Sequence, residues 1–195
     1  MDTLEQLIQQ KDYKGLVSAC EELEFHVAIG RIDVPLNTLY SFLFAGYLLT
    51  NELNASRFLW KRLSTDLKED SELRNFHRIF VSLWKREYPT VYEEITRSSW
   101  TNPLLVQLNQ ELMTIIRERM FGLISTAYSH ISIADTSRYL GVPEADLPSS
   151  LQPRGWEMTE NGFIPKQIEK KVEQTTGLEQ LDQLAGYVMY LESSV

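Results

Sequence analysis

The chain has 195 residues, 43% of them apolar and 24% charged, and a formal net charge of −8. A chain of this length can bury roughly 70% of its unfolded surface without staples, and the lone Cys20 excludes an intrachain disulfide. The acidic balance disfavours general nucleic-acid binding, which needs clustered Lys and Arg; residues 1–11 lack a signal-peptide pattern and no run approaches the ~18 apolar residues of a membrane span, so the cytoplasm and nucleus are expected.

Leu4, Leu7 and Ile8 open with helical spacing, and a second helix carries Leu16, Val17, Cys20 and Leu23 on one face. Residues 30–35, with Gly30 and Pro35, break the pattern. Leu36, Leu39, Tyr40, Leu43, Phe44, Tyr47 and Leu48 then predict an amphipathic helix with one face on a core. Gly46 inside it costs about 1 kcal/mol relative to Ala, a cost that a close helix contact can repay. A weak repeat runs through this region. Asp12, Glu52 and Glu87 each stand at the head of a helix, and the residues eight positions on are Cys20, Trp60 and Ile95. Periods of this size belong to stacked helix pairs, none of which can bury its apolar face alone. Residues 1–103 are therefore expected to be a tetratricopeptide-like (TPR-like) helical-repeat half.

After the break at residues 99–103, Leu105, Leu108, Leu112, Ile116, Met120, Leu123 and Ala127 predict one long helix with a single buried stripe. Residues 104–166 are expected to hold this bridging helix and a winged helix-turn-helix. Ser132 with Asp135 reads as a capping box, and Gly141 as a left-handed helix stop. Pro143 suits the first turn of the next helix. Pro148 and Pro153 predict that this second helix is short, bent or partly 3₁₀. Asn161-Gly162 reads as the tight turn of a hairpin between Trp156-Glu157-Met158 and Phe163-Ile164-Pro165. Residues 167–195 are expected to form a charged linker and a last helix with Leu178, Leu181, Leu184, Ala185, Val188 and Leu191 on one stripe. That stripe folds back on its own body or leaves to join a partner.

His26, His77 and His130 stand far apart and no catalytic or metal-ligand spacing occurs, so no catalytic residue, cofactor or metal is expected. Cys20 on an apolar face reads as core. Residues 142–152 hold Glu144 and Asp146 and no cation, which weighs against the alternative of a DNA-reading winged helix. Arg57, Lys61 and Arg62 form a basic spot, read as a solvated helix face. Trp60, Trp84 and Trp100 continue helical stripes and read as packing, as does Trp156. Phe163 and Ile164 at a wing edge are the candidates for partner contact, together with Leu178, Leu181, Leu184, Val188 and Leu191.

Several strings resemble a known family. Ala55-Ser56-Arg57-Phe58-Leu59-Trp60-Lys61-Arg62 and Leu83-Trp84, with Tyr88, Val91 and Tyr92 behind, look like the repeat half of the small PCI subunits of the COP9 signalosome. Residues 121–128, Ile131-Ser132-Ile133, Tyr139-Leu140-Gly141 and Gly155-Trp156 look like the winged half, and Leu184, Tyr187, Val188, Leu191 and Glu192 like the terminal helix. The resemblance implies a mostly α PCI domain and a scaffold role in the complex that removes NEDD8 from cullins, whose zinc protease is another subunit. It implies association edge to edge through winged halves, terminal helices joined in a bundle, and subunit three as nearest neighbour. No nucleic acid, membrane or small-molecule ligand is expected, on the charge balance, the lack of an apolar span and the missing binding motifs. Subunits of the proteasome lid and of translation-initiation factor three are the related alternatives.

Overall fold

Three of the helical corners are built alike. The computed structural model describes residues 2–32, 34–159, 161–166 and 185. In it α1 (Asp2–Gln9) turns into α2 (Tyr13–Ala28), α3 (Leu36–Thr50) into α4 (Leu53–Arg62), and, after the short α5 (Thr65–Lys68), α6 (Ser71–Lys85) into α7 (Tyr88–Arg97). Each corner sets one residue in the left-handed region: Lys11 at φ 57°, Asn51 at 65°, Arg86 at 61°. The following acid, Asp12, Glu52 or Glu87, donates its backbone N–H to the carbonyl five residues back, on Leu7, Tyr47 and Ser82. This closes the helix end in Schellman fashion. The acid then leaves with φ of −86° to −88° and starts the next helix. The weak sequence repeat is thus a repeated turn. Only Asp12 also caps with its side chain, accepting from the Gly15 N–H at 3.0 Å.

The third element departs from the one-sided helix expected of it. From Leu39 to Leu49 every residue of α3 except Tyr40 is buried, because α2, α4, α6 and α8 (Pro103–Ala127) pack around it. Such burial suits a stretch with no charged residue from position 36 to position 51. Gly46 is where α2 comes closest: a Cβ there would sit 2.8 Å from Val17 Cγ2. The close contact expected to offset a helical glycine is therefore present.

The long helix α8 carries two cores. Leu105, Leu108, Leu112 and Ile116 belong to the repeat core, while Met120, Phe121 and Ile124 belong to a second core under the winged half. Leu123 and Ala127, expected on the buried stripe, are exposed instead. Leu123 stands eighteen residues, or five full turns, after Leu105 and so points the way the repeat core lies, whereas the winged half packs on a different side of α8, where Phe121 and Ile124 point. Two arginines fasten the halves. Arg119 donates to the carbonyls of Leu48 and Leu49 at the end of α3. Arg117, two residues earlier, donates to the carbonyls of Leu140 and Gly141, both at 3.1 Å. Each guanidinium meets the negative end of a helix dipole.

The winged half follows as β1 (Ile131–Ser132), α9 (Ile133–Leu140), a 3₁₀ turn (Glu144–Asp146), α10 (Leu147–Leu151), a second 3₁₀ turn (Gln152–Arg154), β2 (Glu157–Thr159) and β3 (Gly162–Ile164). Ser132 caps α9, its hydroxyl accepting from the Asp135 N–H at 3.1 Å. Gly141 ends α9 at φ 61°. Pro143 stands just ahead of the first 3₁₀ turn, Pro148 lies in the first turn of a five-residue α-helix, and Pro153 lies in the 3₁₀ turn that continues it. The sheet is antiparallel in the order β1-β3-β2. Gly162 is already in the ladder, opposite Thr159 and Ser132, so its glycine is not required by the turn. It is required by proximity: a Cβ would lie 2.1 Å from the Ile131 carbonyl oxygen.

Candidate interaction surfaces

The strand order decides which side chains the sheet offers. β3 lies in the middle, so Phe163 pairs with Ile131 on one side and Met158 on the other. Residues directly opposite in an antiparallel ladder share a face. The row Ile131–Phe163–Met158 therefore runs across the inner face. Ile131 and Phe163 are 3% and 2% exposed, but Met158 is 63% exposed. The apolar row thus reaches the edge of the sheet and ends uncovered. Among the described residues, the outer edge of β2 has no strand beside it. Behind the row, Trp156 meets Phe121 edge to face at 5.8 Å. Arg154 lies 3.8 Å over the Phe121 ring and pairs with Glu118, whose carboxyl it holds below the usual range.

Phe163, expected at the wing edge, is instead a core residue, because β1 takes the side of β3 that a two-stranded wing would leave open. Ile164 is on the outer face opposite Glu157 and is exposed. Leu178, Leu181, Leu184, Val188 and Leu191 lie outside the described residues. Met158 escaped the sequence reading. Its signal was the alternation from Trp156, which puts both side chains on one face.

The histidines sit in separate environments. His77 stacks on Trp60 with ring centroids 3.8 Å apart, His130 meets the Thr159 hydroxyl at 3.2 Å, and His26 stands edge-on to Phe25. Among the described residues no three His, Cys, Asp or Glu side chains converge on a metal-sized site. Cys20 is fully buried, and burial pushes its thiol up to about 12, so it stays protonated at neutral pH. No helix among the described residues is long and apolar enough to cross a membrane.

The second exposed apolar feature is on the repeat half. Trp84, expected to be packed, is 45% exposed beside α4, and the Arg57 guanidinium lies 5.4 Å over its ring. Phe58, about 100° round α4 from Arg57, is 63% exposed.

Helix pairs that run through one long helix into a winged helix with a small antiparallel sheet define a PCI-type domain. The model of the CSN8/PSMD8/EIF3K family matches residues 36–175, and the chain belongs to this family. It is similar to COP9 signalosome complex subunit 8 of Xenopus laevis, 31% identical over 185 residues that cover 93% of each chain. The Arabidopsis thaliana protein of the same name is 29% identical over 198 residues, 98% of each chain. That of Dictyostelium discoideum is 29% identical over 194 residues, 96% of this chain and 95% of the relative.

Proposed function

We propose that this chain is a non-catalytic scaffold subunit of a COP9 signalosome, in the cytoplasm and nucleus. It binds neighbouring PCI subunits, subunit three foremost, through the β2 edge and through a terminal helix presenting Leu178, Leu181, Leu184, Val188 and Leu191. Cullin deneddylation belongs to the assembled complex, and this chain contributes placement of its neighbours. The names of its relatives from three kingdoms of life support the assembly. The observation that carries the docking mode is the inner row ending at the exposed Met158 on an edge with no strand beside it among the described residues. A partner strand added there would satisfy the β2 backbone and cover Met158.

Full burial of a Met side chain is worth about 1.5–3 kcal/mol. The part of Met158 left to cover is therefore worth about 1–2 kcal/mol, or about five- to thirtyfold in affinity. Met158→Asp should weaken co-purification with the neighbouring subunit by at least that factor while the melting temperature stays within a few degrees. Phe163→Asp is the wrong probe, since it would empty the core. Mass spectrometry of the captured chains names the complex. Capture of proteasome-lid or initiation-factor subunits in place of signalosome subunits would refute the assignment, and undiminished capture by Met158→Asp would refute the docking mode.

A further inference from the structure

We propose that the outward face of α4 and α6 is a second docking surface, which takes an acidic polypeptide segment of another protein carrying an apolar anchor. The chain as a whole is acidic at −8, yet these two helices reverse its sign. α4 carries Arg57, Lys61 and Arg62 and no acid. α6 carries Arg74, Arg78 and Lys85, and its one acid, Glu72, is turned away, accepting the backbone N–H groups of Thr101 and Asn102. Arg62 is paired with Glu24 at 2.8 Å. Arg57, Lys61, Arg78 and Lys85 form no ion pair with any described residue and are exposed.

The two helices lie side by side. Trp60 on α4 stacks on His77 of α6, and one turn along, Arg57 lies over Trp84. The spacing of Arg57 and Lys61, and of Arg74 and Arg78, is i and i+4, so each pair of like charges shares a face and repels itself. The face has a cost in the isolated chain that a negatively charged partner would relieve.

Phe58 and Trp84 give the face its apolar component. Exposed aromatics beside arginine are the composition of interface hot spots. The arrangement also discriminates between two kinds of acidic partner. Single-stranded nucleic acid would need open ring faces for its bases. Trp60 is already stacked by His77 and has the Lys68 ammonium 5.9 Å from its ring. Trp84 is flanked by Arg57 and, at 5.8 Å, by Phe80. Among the aromatic residues described on this face, Phe58 alone keeps an open ring. One anchor with flanking cations matches a carboxylate-rich peptide, whose side chains reach the cations while one apolar residue covers Phe58. The surface is on the repeat half, so it would remain available with the β2 edge occupied.

The test uses the full chain and three fluorescein-labelled probes at an ionic strength of about 0.15 M. The first is a short peptide of Asp and Glu with a central Leu-Phe pair, the second its Lys counterpart, and the third an oligothymidylate of matching length. Anisotropy should report binding of the acidic peptide, with affinity falling as salt is raised. The double variant Arg57→Glu, Lys61→Glu should weaken it about tenfold or more. Phe58→Ala should weaken it about fivefold. Lys14→Glu, an exposed charge reversal on α2, should leave it within about twofold, which separates a site from bulk charge. Circular dichroism and melting confirm that each variant is folded. Failure of the acidic peptide to bind, or equal weakening by Lys14→Glu, overturns the proposal. Tighter binding of oligothymidylate overturns it in favour of nucleic acid. Self-association of the chain that the double variant abolishes overturns it in favour of a second copy.

Discussion

Replacing Gly141 by Ala tests the junction that makes the two halves one body. Gly141 ends α9 at φ 61°, where an L side chain costs about 1–2 kcal/mol. Its Cβ would also fall 2.3 Å from a ring carbon of Tyr92 on α7. That ring cannot step aside freely, because the Tyr92 hydroxyl donates to the Tyr139 carbonyl at 2.9 Å and the Arg117 guanidinium lies 5.6 Å over it. Overpacking of this kind costs about 1–3 kcal/mol. Loss of chain freedom in the unfolded state returns about 0.4–1 kcal/mol. The net expectation is a destabilisation of about 2–4 kcal/mol. At about 2–4 °C per kcal/mol for a chain of this size, the melting temperature falls by about 5–15 °C. Gly155→Ala is the control. It has a similar φ of 73°, but the nearest neighbour to its Cβ is Lys166 Cδ at 3.3 Å, so it carries little beyond the backbone cost of about 1 kcal/mol. Urea and thermal unfolding of both variants give the comparison. If Gly141→Ala is no more destabilising than Gly155→Ala, the Tyr92 clash is not part of the junction and the reasoning fails.

Two further outcomes follow from named contacts. His77 is held below its ordinary value of 6.5, first by burial and then by the Lys68 charge, so the unfolded chain binds its proton more readily than the folded one. Its contribution to stability is intact above pH 6.5 and is lost as pH falls toward the depressed value, and His77→Phe should show a shallower loss of melting temperature over that window. Identical pH profiles for the two proteins would refute this. Arg86 pays the left-handed cost at φ 61° without a glycine, so Arg86→Gly should raise stability by up to about 1 kcal/mol; a lowered melting temperature would show that its side chain contributes more than the backbone strain removes.

What could be read in the sequence was what is locally encoded. Ser132 with Asp135, the stop at Gly141 and the prolines at 148 and 153 each act within a few residues, and each fixed its element correctly. The helix-pair repeat was legible as acids at helix heads, although the left-handed residues Lys11, Asn51 and Arg86 that shape the corners gave no glycine signal. The sequence puts Phe163 at an edge because strand order is a long-range fact: only the pairing of Ile131 with Phe163, thirty-two positions apart, reveals that β3 is central. The all-round burial of α3 could have been inferred from its uncharged run, which a periodicity reading passes over. Leu123 continues the stripe begun at Leu105 and reads as core, because the side of α8 that the second core covers is set by long-range packing on Phe121 and Ile124. Trp84 reads as packing because its stripe is apolar, yet it stays 45% exposed with the Arg57 guanidinium over its ring and Phe80 beside it.

The placement of Arg117 and Arg119 links these surfaces. Two residues on a helix are about 200° apart, so the side chains leave α8 in nearly opposite directions. One grips the end of α3 in the repeat half and the other the end of α9 in the winged half. Both bonds are charge-assisted and partly shielded from water, where such contacts are worth about 1.5–3 kcal/mol each. Sliding the winged half along α8 would break the Arg117 bonds and drive Gly141 into or away from Tyr92, whereas bending α8 at its middle would strain both cores at once. The β2 edge and the α4–α6 face therefore keep a fixed separation and direction. Under the proposed function, a neighbour seated on the β2 edge thereby determines where the cationic face points, and an acidic segment held on that face is positioned relative to the neighbour with no further contact between them.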